Sequence, residues 1–258
     1  MTELVDTHIH LYDNSFNNDI ATVTERAAEA GVTAMILPAI DSSYYEQMSI
    51  TAGELKGIAY ETIGLHPTSV KQNWEKELEF VFENLPKKEF KAIGEIGVDT
   101  YWSKEFLQQQ IIVFEEQLKL AASHNLPVII HSRDATEIIL NSLNKLKSLS
   151  LRGVFHAFSG SLETYRKISD YGNFMVGIGG VVTFKNSKLS DVVKKMDINH
   201  LVLETDAPWL TPSPHRGKRN EPSYLQLIAA GVASARECSY SHIAEITTRN
   251  AKTLFNIP

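Results

Sequence analysis

The segment Asp6-Thr7-His8-Ile9-His10 carries two imidazoles at i and i+2. On an extended strand that spacing turns both side chains to the same side, and two neutral imidazoles converging in this way suit a divalent metal. A lone His-x-His motif is a weak signal, so its meaning depends on what else the chain supplies. Glu95 lies in Gly94-Glu95-Ile96-Gly97, among small and apolar residues where an unpaired carboxylate would be costly to bury. His131 follows the apolar run Pro127-Val128-Ile129-Ile130, and His156 stands in Phe155-His156-Ala157-Phe158. In Leu203-Glu204-Thr205-Asp206, one strand-end carboxylate points inward and Glu204 lies on the same side but deeper. Together His8, His10, Glu95, His131, His156 and Asp206 form a set that can hold two divalent cations roughly 3.5–4 Å apart, and hydrolysis by a metal-activated hydroxide is the economical reaction for such a set. Imidazole with carboxylate suits Zn, Mn, Fe or Co, and a substrate phosphate admits Mg.

Bringing these residues together requires elements that end at one place. Apolar runs of strand length fall at 4–10, 33–39, 59–65, 91–98, 127–132, 153–158, 174–179 and 201–206. Stretches such as 22–30, 76–84, 104–124, 135–148, 162–171 and 188–196 carry apolar residues at helical spacing. The runs Val128-Ile129-Ile130 and Leu201-Val202-Leu203 are continuously apolar, as parallel strands covered on both faces must be. This alternation predicts an α/β protein, a (β/α)8 TIM barrel, with extra C-terminal helices at about 223–236 and 241–255. The 258 residues match one such barrel, so a single domain spanning 1–258 is expected. In this fold catalytic side chains come from the C-terminal strand ends. Of the 9 histidines, His8, His10, His66, His131 and His156 fall there. His124, His200, His215 and His242 do not, and they act as internal controls. After the eighth strand a Pro-rich, basic loop at 208–222 has the character of a functional lid.

Composition removes several alternatives. Hydrophobic residues at 43% and charged residues at 22% describe a globular chain rather than a disordered or fibrous one. A net charge of −6 excludes a generally basic nucleic-acid coat or a polybasic anchor, so a phosphate-bearing partner must be gripped locally. Cys238 is the only cysteine, which excludes an internal disulfide, a thiolate zinc cage and an iron–sulfur cluster within one chain. The opening residues lack a basic and apolar leader pattern, and no apolar run approaches a membrane span. A cytoplasmic protein with no membrane association, monomeric rather than assembled, is the expectation.

The sequence resembles the TatD family of metal-dependent deoxyribonucleases, within the wider amidohydrolase-like barrels. The resemblance runs along essentially the whole chain. It is carried by Asp6-Thr7-His8-Ile9-His10, Gly64-Leu65-His66-Pro67, Gly94-Glu95-Ile96-Gly97, His131-Ser132-Arg133-Asp134-Ala135, His156-Ala157-Phe158-Ser159-Gly160-Ser161, Thr183-Phe184-Lys185-Asn186, Leu203-Glu204-Thr205-Asp206-Ala207-Pro208 and Arg216-Gly217-Lys218-Arg219-Asn220-Glu221-Pro222. It implies that His8, His10, Glu95 and Asp206 hold one cation, that Glu95, His131 and His156 hold the second, and that Glu95 bridges. His66 corresponds to the family's additional site histidine, placed to contact a phosphate or the leaving group. The implied activity is phosphodiester cleavage in DNA, released from a 3′ end of single strands. Asp206 would accept a proton and His66 would protonate the leaving oxygen. Arg133, Lys185 and Arg216, with Lys218 or Arg219, would neutralise phosphoryl charge, and Tyr101, Trp102, Phe158, Phe184 and Trp209 could stack bases. Three segments depart from the commoner pattern: His66-Pro67-Thr68, which lacks a second histidine, Gly97-Val98-Asp99-Thr100-Tyr101-Trp102, and Ala157, where cysteine is frequent. They line the mouth, so they bear on substrate preference. The ligand set alone equally suits a hydrolase of an amide, a lactone or an aminoacyl ester.

Overall fold

In the computed structural model, which describes residues 2–258, short strands alternate with helices throughout. The strands are β1 (Leu4–Asp6), β2 (Val32–Leu37), β3 (Ala59–Glu61), β4 (Ile93–Asp99), β5 (Val128–Arg133), β6 (Gly153–Phe155), β7 (Phe174–Ile178) and β8 (Leu201–Leu203). The helices are α1 (Ile20–Glu29), α2 (Tyr45–Glu54), α3 (Trp74–Asn84), α4 (Leu107–Ser123), α5 (Thr136–Lys145), α6 (Leu162–Ser169), α7 (Leu189–Val193), α8 (Leu225–Arg236) and α9 (Tyr240–Phe255). Parallel ladders join β1-β2-β3 and β4-β5-β6-β7-β8. Two seams close the ring. At one, Ile63 bridges Ile93 and the Gly94 N–H donates to the Ile63 carbonyl at 2.8 Å. At the other, the Thr7 N–H donates to Leu203 at 3.0 Å and the Asp206 N–H to His8 at 2.9 Å. The result is the (β/α)8 barrel that the alternation predicts.

Each strand is followed by a helix, including α2, which no apolar period in the sequence marks. Only Met48, Thr51 and Ala52 of α2 are buried, and Ile50 is turned to solvent, so its apolar stripe is narrow. With α2 counted, α8 completes the eighth unit and α9 is supernumerary. The strands end earlier than the apolar runs suggest. Beyond Asp6 the chain bonds to both neighbours in turn, the Ile9 N–H to the Ile36 carbonyl of β2 at 3.1 Å and the His10 N–H to the Ala207 carbonyl at 2.9 Å. Residues 7–10 are therefore held between β2 and the chain after β8 without the regular ladder of β1.

Strand alternation sorts the core into two layers. Leu4, Met35, Leu37, Val128 and Ile130 face the helices. Val5, Ala34, Ile36, Ala92, Ile129, Val154 and Val202 fill the barrel interior together with Ala251, Leu254 and Phe255 of α9. Asn250 on α9 donates to the carbonyls of Ile198 and Leu201, at the start of β8. The helix thus closes the N-terminal mouth, and the site has only the C-terminal mouth to occupy. Among the described residues, no helix is long and apolar enough to cross a membrane.

One glycine fixes how closely β4 and β5 approach beside the site. Gly97 has φ +146, and a Cβ there would stand 2.0 Å from the His131 carbonyl oxygen. Gly97→Ala is therefore expected to cost about 3 kcal/mol in backbone strain and displaced ladder. Thermal unfolding should show a midpoint lowered by roughly 6–12 °C for a chain of this size. An unchanged midpoint would mean the ladder gives way freely.

Candidate metal centre

Glu95, in the middle of β4, lies at the focus of the barrel mouth, buried with 3% exposure. Its two oxygens face different groups. Oε2 lies 3.2 Å from His8 Nε2 and 3.8 Å from His10 Nε2. Oε1 lies 2.8 Å from His131 Nδ1, 2.8 Å from His156 Nε2 and 3.2 Å from His66 Nε2. Asp206 Oδ1 joins the first group, 3.7 Å from His8 Nε2 and 3.8 Å from His10 Nε2. The histidines and carboxylates singled out in the sequence thus meet in one cup, split by the Glu95 carboxylate. The control histidines stay out: His124 bonds within its own helix end, His215 stacks on Tyr224, His200 approaches Tyr165 and His242 is exposed.

Neighbouring groups fix which nitrogen of each ring faces the centre. The Tyr12 hydroxyl donates to the Pro38 carbonyl, so it accepts from His10 Nδ1 at 2.8 Å, leaving the His10 Nε2 lone pair toward Glu95 and Asp206. His131 Nε2 donates to Asp99 Oδ2 at 2.9 Å, which leaves Nδ1 for the centre. His66 is turned the other way. The Thr68 amide can only donate, and it donates to His66 Nδ1 at 3.1 Å, so the neutral ring carries its proton on Nε2, aimed at the cup. His66 is thereby poised as a donor rather than a ligand.

The charges follow from burial and from Glu95. Burial pushes His8 down to about 4, His10 well below its ordinary value and His66 down, so these rings are neutral with nitrogen lone pairs. Burial opposes ionisation of Glu95, yet the charge of His156 and the hydrogen bond with His131 hold its carboxyl well below the usual range. Burial also opposes a proton on His156, but Glu95 carries that ring up to about 10. On His131 burial is likewise overcome, here by the hydrogen bonds to Asp99 and Glu95. The pocket around Glu95 therefore draws positive charge, and protons on His131 and His156 are what a divalent cation would displace. The donor set fits the group. His8, His10 and Glu95 present ligand atoms within 4.8 Å of one another, as do His8, His156 and Glu204; Glu95 and His131 stand equally close, with His66 beside them as a hydrogen-bond donor. His8 Nδ1, His156 Nδ1 and Glu204 Oε2 are buried without hydrogen-bond partners.

A supporting layer was only partly visible in the sequence. Asp6 accepts from the Thr205 amide at 2.9 Å and the Thr205 hydroxyl at 2.6 Å, tying the segment that carries His8 to the one that carries Asp206. Asn220, fully buried, donates to the carbonyls of Thr205 and Trp209 and pins the loop after β8. Glu204 receives the Ala157 amide, and burial pushes its carboxyl up to about 8. Asp206 and Ala157 hold left-handed backbones, φ 55 and φ 47, at the rim of the cup. Tyr12 and Asp99 carried a signal after all: each lies a short step from a histidine or a strand end of the set. Asp99→Asn removes the acceptor for His131 and is expected to weaken metal affinity about 10- to 100-fold. Competition with a chromogenic chelator measures this directly, and an unchanged affinity would refute the role assigned to Asp99.

The residues expected to meet substrate divide into two groups. Arg133 forms no pair with Asp134 or Glu95; its guanidinium lies over the Tyr101 ring at 3.8 Å. Arg216 and Lys185 are exposed, with Arg216 over the Phe184 ring at 4.2 Å. Arg219 is committed elsewhere, in a bidentate pair with Asp19 at 2.7 and 2.8 Å, so it is not a free phosphate ligand. Phe158 is buried at 6% exposure and cannot stack a base. Trp209 is half exposed and meets His10 edge-on at 5.0 Å. The loop at 208–222 is stapled at several points, including Thr211 to the Lys218 carbonyl and Ser213 N–H to Thr183, which does not match a free lid.

A parallel barrel with this imidazole–carboxylate cup at the C-terminal strand ends is a metal-dependent hydrolase. The chain belongs to the TatD-related DNase family, whose model matches residues 5–256. It is 40% identical over 255 residues to the metal-dependent hydrolase YabD of Bacillus subtilis (strain 168), spanning 98% of this chain and 99% of that one. It is 34% identical over 257 residues to YjjV of Escherichia coli (strain K12), spanning 98% of both. Both relatives are described as uncharacterized. The crystal structure of YjjV, a TatD homologue, shares the fold with a TM-score of 0.93 at 32% identity, covering 100% of this chain and 99% of that one.

Proposed function

We propose that this chain is a TatD-type deoxyribonuclease that removes nucleotides from the 3′ end of single-stranded DNA, using two divalent cations (Mg, Mn or Zn). The observation that carries the proposal is the division of Glu95: one oxygen toward His8 and His10, the other toward His131 and His156. One position would be formed by His8, His10, Glu95 and Asp206, the other by Glu95, His131 and His156. Cations bound there supply charge neutralisation at a phosphoryl oxygen and make water acidic enough to be a nucleophile at neutral pH. Asp206, 3.7 Å from His8 and 3.8 Å from His10, accepts the proton of the attacking water. The neutral His66 ring donates a hydrogen bond from Nε2–H to the leaving 3′ oxygen as charge develops on it, and that oxygen takes its proton from solvent. Arg133, Arg216 and Lys185 are exposed cations that meet phosphates locally, as the net charge of −6 requires. Support for DNA as substrate comes from the description of the family and from these cations at the mouth.

The test is digestion of 3′- and 5′-end-labelled single-stranded and duplex DNA by protein reconstituted with each metal. Stepwise shortening from the 3′ end of the single strand is expected. Absence of cleavage with every metal, alongside turnover of an aminoacyl-ester or lactone panel, would replace the nuclease with a carbonyl hydrolase.

A further inference from the structure

We propose that Tyr101, Trp102 and Arg133 form a stacking platform that holds a base of single-stranded DNA beside the metal centre. The proposal rests on the nuclease reading and assigns its substrate contact. Tyr101 is 54% exposed and Trp102 70%, an unusual cost in apolar surface for two adjacent aromatic side chains. Their rings meet edge-on, with centroids 5.0 Å apart at 86°. The Arg133 guanidinium lies 3.8 Å from the Tyr101 ring and 5.2 Å from the Trp102 ring, giving the platform a positive charge. Among the described residues the arginines in ion pairs with carboxylates are Arg26 and Arg219, so the charge of Arg133 is not consumed.

The platform is built onto the centre. Asp99 Oδ1 accepts from the Tyr101 amide at 2.9 Å and the Trp102 amide at 3.3 Å, while its Oδ2 accepts from His131 Nε2. The Thr100 amide donates to the Arg133 carbonyl at 3.0 Å, and its hydroxyl donates to the Asp134 carbonyl at 2.7 Å. One carboxylate therefore sets both a histidine facing Glu95 and the turn that presents the aromatic rings. Exposed π faces with a cation beside them, at a fixed place next to a phosphodiester-cleaving centre, fit a nucleobase and its phosphate, and they accept any base because every base has a π face. In a duplex those faces are stacked on one another and unavailable.

The test is binding, read separately from cleavage. Anisotropy of a fluorescein-labelled oligothymidine is measured in EDTA with native protein, Tyr101→Ala/Trp102→Ala, Trp102→Phe and, as an external control, Phe82→Ala on the outer helix α3. The double variant should bind about 10- to 100-fold more weakly, Trp102→Phe should recover most of that loss, and Phe82→Ala should bind as the native protein does. Equal binding by the double variant, equal binding of a blunt duplex, or no binding by native protein each overturns the platform. Native protein that binds the strand through these residues but fails to cleave it whichever metal is supplied overturns the nuclease reading and leaves the platform standing.

Discussion

Glu95→Gln is expected to reduce hydrolysis by at least about 10³-fold, equivalent to roughly 4 kcal/mol of transition-state stabilisation. The substitution keeps the shape and size of the side chain but removes the charge on which both halves of the cup converge. One Glu95 oxygen lies 3.2 Å from His8 and the other 2.8 Å from both His131 and His156. A glutamine presents an acceptor to one side only, and its NH2 turns donors toward nitrogens that must themselves donate lone pairs to a cation. The drop should appear in kcat/KM for any substrate the protein turns over, including a small chromogenic diester. Turnover within threefold of native would show that Glu95 is a structural carboxylate.

Asp206→Asn should lower kcat by about 10²- to 10⁴-fold while leaving the fold intact. The variant isolates charge, because Asn tolerates the left-handed backbone at φ 55 as readily as Asp does. The backbone bonds of Asp206 with His8 and Trp209 are unaffected by the change. Burial pushes the Asp206 carboxyl up to about 7, and a cation beside it would draw that value down. A base must be ionised to accept a proton, so the native rate should fall as pH drops through this carboxyl's pKa. The variant should lose that acid limb along with its activity. A pH–rate profile with the same limb in both proteins would assign the base elsewhere.

Both the barrel and the cup were legible in the sequence for a physical reason. Parallel strands buried on both faces must be continuously apolar, as Val128-Ile129-Ile130 is, and a charged or imidazole residue directly after such a run can only sit at its end. Residues without such a frame were harder to place. His8 and His10 converge as their spacing suggested, yet they do so in an irregular segment held by both β2 and the chain around β8 rather than on a regular strand. The α2 helix carried too narrow an apolar stripe to be marked. The His66 tautomer depends on the Thr68 amide, the commitment of Arg219 depends on Asp19, and the burial of Phe158 depends on packing in the core layer beneath the helices. Each of these is set by a partner whose position only the folded chain defines.

Anomalous diffraction from crystals grown with Mn2+ tests the centre most directly. The account predicts two peaks roughly 3.5–4 Å apart on either side of the Glu95 carboxylate, one among His8, His10 and Asp206 and the other between His131 and His156. A lone peak away from Glu95, or manganese held by none of these side chains, would contradict it.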